Sequence, residues 1–233
     1  MNNVIVYKSR GRLPSVLQGT HVVSQGTPMS SLKTSSLMGN IGRQPGHLVT
    51  IDQFIRKKTT QSSKPTVSLS VYCDGSTFNN GKKYASGGYG VYFGPDDPRN
   101  VSEPFLIGIP TNQKTEIYAM TRTLQILDGM VQHQKLDCHF DIYTDSEYVI
   151  NCLEKWIPTW IKKDWIKADG HAVKNIDLLK EMSTYYYRHP RMYRLHHVKS
   201  HTGAKTVHCI GNDHADRLAV AGTHQHPNCK KRP

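Results

Sequence analysis

Asp74, Glu116, Asp145 and Asp216 are the residues of this 233-residue chain whose types and placement could do chemistry. Asp74 closes the alternating stretch Ser68-Leu-Ser-Val-Tyr-Cys-Asp, and Asp145 closes His139-Phe-Asp-Ile-Tyr-Thr-Asp. Such alternation marks a half-buried strand. Neighbouring strands lie about 4.8 Å apart, so carboxylates at adjacent strand ends come close. Like charges that near repel and raise each other's pKa unless a cation sits between them. A hard divalent ion with oxygen ligands, Mg²⁺ or Mn²⁺ in its place, is the natural partner. Two such ions about 4 Å apart support in-line phosphodiester hydrolysis, one activating water and the other stabilising the leaving oxygen. Each acid alone also has a structural reading. Asp at a strand end is a common turn residue, Glu in a first helical turn suits the helix dipole, and Asp145-Ser146 can be a simple helix cap. Spacing does not choose between them.

The elements that must position these acids are legible from pattern. Strands are expected at Ser68–Asp74, Gly87–Phe93, Phe105–Ile109, His139–Asp145 and Tyr193–Val198. Ile117, Met120, Leu124, Leu127 and Val131 fall at helical spacing, which predicts a helix over Thr115–Met130 with Glu116 in its first turn. Further helices are expected over Ser146–Leu153, Asn175–Tyr187 and Asn212–Ala221, the last carrying Asp216. Strands first, then helices alternating with strands, predict an α/β domain with a five-stranded mixed sheet flanked by helices.

Charge points to the partner. The chain carries 30 Lys and Arg against 18 Asp and Glu, a formal +12. A surplus of this size suits a polyanion such as nucleic acid, although a basic tail can also serve solubility alone. Residues 1–70 contribute nine basic residues and one acid, giving +8, and the remainder contributes 21 and 17, giving +4. Residues 1–66 are Ser-, Thr-, Gly- and Gln-rich without sustained periodicity, and read as a disordered basic extension. Their lack of acid before Asp52 also fits a mitochondrial transit peptide. Residues 67–222 then form the domain and 223–233 a basic C-terminal tail. Five cysteines without CxxC spacing, and no secretory signal, predict reduced thiols in an intracellular protein. No apolar run approaches the roughly 20 residues of a membrane span. A monomer is expected.

Local sequence around the acids narrows the reading. Tyr72-Cys-Asp74-Gly-Ser, Thr111-Asn-Gln-Lys-Thr-Glu116, Tyr143-Thr-Asp145-Ser, Val198-Lys-Ser-His201-Thr-Gly and Gly211-Asn-Asp-His-Ala-Asp216 occur in that order. Together they resemble the motifs of type 1 ribonuclease H, eukaryotic-type, over residues 68–222. The resemblance implies a ribonuclease H-like fold and endonucleolytic cleavage of the RNA strand of an RNA/DNA hybrid, leaving 5′-phosphate and 3′-hydroxyl ends. It implies two Mg²⁺ ions, with Asp74 bridging them, Asp216 completing the water-activating site, and Glu116 and Asp145 holding the second. His201 would assist proton transfer or product departure. Asn80, Asn112 and Gln113 match positions that read ribose 2′-hydroxyls, a task suited to amides that both donate and accept. Tyr148 and Trp156 match positions that pack on deoxyribose, Thr111 and Asn175 a pocket for a DNA-strand phosphate. Trp156, Trp160, Lys162 and Lys163 belong to a basic protrusion that grips the DNA strand; core packing is the bland alternative for its tryptophans. The implied compartments are nucleus and mitochondrion.

The chain also departs from the family. Ile109 stands where eukaryotic members place an Arg, and the loop from His201 to Asn212 is about five residues longer than the family pattern. These departures motivate a second reading, a non-catalytic hybrid-binding protein. A nuclease of the same fold acting on DNA junctions is a third, disfavoured by Asn112-Gln113. Val6–Arg12 resembles the opening strand of a hybrid-binding module whose remainder is missing. Thr50–Ile55, running on to Lys58, looks like a degenerate sliding-clamp-binding peptide, against which stands a plain linker. His208, Cys209, His224, His226 and Cys229 could bind zinc, but their spacing fits no common zinc pattern.

Overall fold

The computed structural model describes residues 68–134, 138–200 and 205–230. The N-terminal extension, its clamp-like peptide and His201 lie outside the described residues. Five strands, β1 (Ser68–Phe78), β2 (Ser86–Tyr92), β3 (Val101–Pro104), β4 (His139–Thr144) and β5 (Tyr193–His197), form one sheet in the order β3-β2-β1-β4-β5. β2 pairs antiparallel with β1 and β3, while β4 pairs parallel with β1 and β5. The helices are α1 (Asn112–Gln134), α2 (Glu147–Asn151), α3 (Ile157–Lys162), α4 (Ile176–Tyr186) and α5 (Val207–Gln225). A π-helical turn, Cys152–Trp156, joins α2 to α3.

Alternation along β1 divides its side chains between two layers. Val71 and Cys73 enter the core beside Ile117, Met120 and Leu124 of α1. Tyr72 faces the other way, its ring against Gly211 of α5. Glycines set how close α5 comes. A Cβ at Gly88 would collide with the Thr223 nitrogen and the Gly222 carbonyl carbon, and one at Gly90 with the Ala215 carbonyl. Ala215 and Ala219, fully buried, complete that small-residue face.

Several elements differ from expectation. The third strand is Val101–Pro104, not Phe105–Ile109. Phe105 donates the last sheet-like bond to the Gly87 carbonyl at 2.8 Å and buries its ring against Tyr118. Leu106, Ile107 and Ile109 beyond it are exposed, so composition mimicked a strand where no core exists to receive it. α1 begins at Asn112, three residues early, because the Thr111 hydroxyl accepts from the Lys114 N–H. Glu116 therefore sits in the second turn, which removes the dipole reading. α5 begins at Val207 and ends at Gln225, well outside Asn212–Ala221. The Thr206 hydroxyl caps it by accepting from the Cys209 N–H at 3.2 Å, so half of the supposed long loop is helix. Past Gln225 the Asn228 amide donates to the Ala85 carbonyl at 2.9 Å, pinning the first residues of the expected tail.

Two buried acids brace the frame. Asp141 on β4 accepts from Ser68 and Arg194 and pairs with His196. Burial works to raise its pKa, but those hydrogen bonds outweigh burial and hold it down to about 2. Its contribution to stability is present above the ordinary carboxylate pKa and is lost as pH falls from there through about 2. Asp128 on α1 pairs with Arg188 and His189, tying that helix to the turn after α4. No helix among the described residues is long and apolar enough to cross a membrane.

The glycine contact yields a test. Gly88→Ala forces α5 away from β2, and overpacking of this kind costs about 1–3 kcal/mol. Urea denaturation of the variant should show that loss as a lower midpoint with an unchanged slope.

Candidate metal centre

Three elements deliver three carboxylates to one point. Asp74 comes from the middle of β1, Glu116 from α1, and Asp145 from the residue after β4. One ligand oxygen from each lies within 4.8 Å of the others, the one such group among the described residues. Gly75 makes this possible. Its missing Cβ would overlap the Thr115 and Glu116 backbone, so α1 lies directly on β1. Thr77 and Thr115 hydroxyls bond at 3.1 Å one step further along the same seam. Asp145 is fixed through its backbone: its carbonyl stands 3.1 Å from His197 Nε2, and the N–H of Val198, just past β5, donates to the Thr144 carbonyl.

The electrostatics show a site short of positive charge. Burial first, then the charges of Asp145 and Asp216, push the Asp74 carboxyl well above the usual range, against the bond it accepts from the Gly75 N–H at 2.7 Å. Glu116 is pushed up likewise, by burial and then by Asp74 and Asp145. Its Oε2 is buried with no hydrogen-bond partner. Asp74, Glu116 and Asp145 each raise a neighbour's pKa through like charge, and a divalent cation between them removes that repulsion. All donors are hard oxygens, so the set fits Mg²⁺ or Mn²⁺ and not a thiolate-seeking metal. Asp216 stands outside the 4.8 Å group and acts on Asp74 through charge.

The remaining expected residues separate into two neighbourhoods. Asn80 and Asn112 meet at the end of the β1–α1 seam, where the Asn80 side chain accepts from the Asn112 N–H at 3.3 Å; Gln113 follows, exposed. Tyr148, Trp156 and Trp160 form a row, with ring centroids 5.9 and 5.8 Å apart. The π turn accounts for it. Two α turns span about 7.2 residues; a π turn adds roughly one more, so eight residues return Trp156 to the face of Tyr148. Trp156 is 38% exposed and Trp165 only 9%, so core packing claims the last tryptophan and leaves the first open. Lys163 is exposed, Lys162 ends α3. Thr111 caps α1, and Asn175 precedes α4 at φ 57° with a side chain that makes no cap bond.

The suggested zinc residues do not converge. His208 stacks on Tyr143 at 4.1 Å, whereas His224, sixteen residues or about 24 Å further along α5, stands against Phe78 and Cys229. Sequence reasoning passed over Asn212, four residues before Asp216. It is buried, and its Oδ1 has no partner. Its signals were its place in the Gly211–Asp216 motif and on the same helix face as that acid.

A mixed sheet with acids from β1, α1 and the end of β4 meeting at one point is the architecture of the ribonuclease H-like class. The chain belongs to the RNase H family, whose model matches residues 66–224. It is 38% identical over 152 residues to ribonuclease H of Schizosaccharomyces pombe, covering 65% of this chain and 52% of that protein. It is 35% identical over 159 residues to ribonuclease H1 of Mus musculus, covering 68% and 51%. The chain thus spans about half the length of these relatives. The solution structure of the PFV RNase H domain shares the fold at a TM-score of 0.53 and 24% identity, over 67% of this chain and 94% of that one. So does the foamy viral protease-reverse transcriptase in complex with RNA/DNA hybrid, at 0.54 and 21%, over 72% and 22%.

The raised carboxyls give a signed prediction. Their contribution to stability is full below the ordinary carboxylate pKa and is lost as pH rises through the raised values. Metal-free protein should therefore lose thermal stability from about pH 4 upward. Added Mg²⁺ should restore it, and Glu116→Gln should flatten the metal-free profile. Melting curves across pH with and without Mg²⁺ measure all three.

Proposed function

We propose that the chain is a divalent-metal-dependent endonuclease that hydrolyses the RNA strand of RNA/DNA hybrids, leaving 5′-phosphate and 3′-hydroxyl ends. The convergence of Asp74, Glu116 and Asp145 in a chain of the RNase H family carries this reading. Asp74, Glu116 and Asp145 would hold Mg²⁺, with Asp216 completing a second position beside Asp74. When bound, the metal supplies Lewis-acid stabilisation of the phosphate and lowers the pKa of water. The Gly75 N–H orients the Asp74 carboxylate. His201 assists proton transfer or product departure.

Substrate choice follows from the two neighbourhoods. Asn80, Asn112 and Gln113 read 2′-hydroxyls of the RNA strand. Tyr148, Trp156 and Trp160 give the DNA strand an apolar track, with Lys162 and Lys163 on its phosphates. Thr111 and Asn175 take a DNA phosphate. The Thr111 hydroxyl accepts from the Lys114 N–H, which leaves its own hydrogen to donate. Lys114 Nζ sits 2.9 Å from the Ile109 carbonyl and brings back a positive charge at the position that lacks the family's Arg.

Ile109 also favours the alternative, a hybrid-binding protein without activity. Asp145→Asn decides. In Mg²⁺ the variant should cut a labelled hybrid no faster than buffer does, yet bind it as the parent protein does. A parent protein that binds hybrid and leaves it intact in both Mg²⁺ and Mn²⁺ makes the alternative correct. A chimeric RNA–DNA strand should be cut only within its ribonucleotides. Binding should weaken steeply with salt, because cations displaced from phosphate are released.

A further inference from the structure

We infer that the β1–β2 turn, through Lys82, Lys83 and Tyr84, is a second clamp on the RNA strand, remote from the cut. This rests on the hybrid reading above. The turn is built rigidly. Asn79 and Gly81 take left-handed conformations, φ 55° and 78°, and two backbone bonds close it, Lys82 N–H to the Asn79 carbonyl and Ala85 N–H to the Lys82 carbonyl, both 3.0 Å. Asn80 then moors it to α1 through the Asn112 N–H. The turn is therefore an extension of the seam that begins at the metal centre: Gly75 on Glu116, Thr77 on Thr115, Asn80 on Asn112.

What that rigid turn presents is unspent. Lys82 and Lys83 are exposed and make no ion pair among the described residues. Tyr84 follows, 55% exposed, an aromatic face with no ring neighbour among the described residues. Arg99, Lys167, Arg188 and Arg194 are committed to Asp97, Asp169, Asp128 and Asp141. Lys155, Lys163 and Lys174, exposed like Lys82 and Lys83, also make no ion pair among the described residues. What sets the pair apart is the fixed turn that carries it beside Asn80. Two unpaired ammonium groups beside a bare aromatic ring suit phosphate and a sugar or base face. Their side of the seam is that of Asn80 and Asn112, which assigns them to the same strand those amides read.

Spacing sets the register. Asp74 to Phe78 covers about 13 Å of strand before the turn begins. With the hybrid axis taken to run along β1, roughly 3.4 Å per base pair would bring the lysines to phosphates about four to six nucleotides from the cut. The clamp would thus measure hybrid length: a duplex ending short of it gives the lysines nothing to hold.

The test uses the full chain in the Asp145→Asn background, so that hybrid is bound and not consumed. Lys82→Gln with Lys83→Gln should lower the slope of log affinity against log salt by about 1.8, two phosphates at roughly 0.9 each. Lys82→Arg with Lys83→Arg should restore it. Both substituted positions are exposed, and an unchanged melting curve shows the fold intact. Single methylphosphonates should then be scanned along each strand. The parent should lose affinity at one or two RNA positions four to six nucleotides from the cut, and the Gln variant should be indifferent there. An unchanged salt slope overturns the clamp, and so does sensitivity confined to the DNA strand. A parent that does not prefer hybrid over duplex DNA overturns the hybrid reading itself, which is a separate result.

Discussion

Backbone laid on backbone is the contact from which the rest of this structure follows. Gly75 lets α1 lie directly on β1, and Gly88 and Gly90 let α5 lie directly on β2. With no side chain between the layers, the carboxylates of one layer are carried into the reach of the other. Wider spacing would leave Asp74, Glu116 and Asp145 as three separate surface acids. The helix–sheet distance, and not any property of the acids, makes a cation site of them.

That arrangement stores unfavourable charge at the centre of the fold and has to be balanced elsewhere. The bracing acids show how. Asp128 and Asp141 are as buried as Asp74, yet each is surrounded by cations and hydrogen-bond donors from neighbouring elements. Asp74 has one backbone N–H, from Gly75, and Glu116 has a buried Oε2 with no hydrogen-bond partner. Identical chemistry is thus a structural rivet in two places and a cluster of unneutralised carboxylates in a third. The difference lies in the partners, which marks the third place as built for something brought in from outside.

Much of this was legible in the sequence because it rests on period and motif. The alternation through Ser68–Asp74 and His139–Asp145 marked two strands, but β1 continues to Phe78, so Asp74 lies inside its strand while Asp145 follows directly on its own. The five-stranded mixed sheet is the one expected. What escaped was set by tertiary contact. Phe105–Ile109 has the composition of a strand, but only Phe105 finds a core. The start of α5 was hidden because Val207 and Ile210 are exposed, so the helix there has no apolar period to detect; its cap, Thr206, was the readable sign. The link from Asn80 to Asn112 crosses 32 residues and leaves no local trace.

The π turn between α2 and α3 has a consequence of a different kind. Winding Cys152–Trp156 as ordinary α-helix without losing a residue would rotate everything after it by about 80°. Trp156 would swing off Tyr148, and the basic segment that follows would be aimed a quarter-turn away. Replacing a residue there changes only a side chain. In this short stretch length and winding are therefore tied: the extra residue is tolerated only as a π turn, and its loss only with a return to ordinary α-helix.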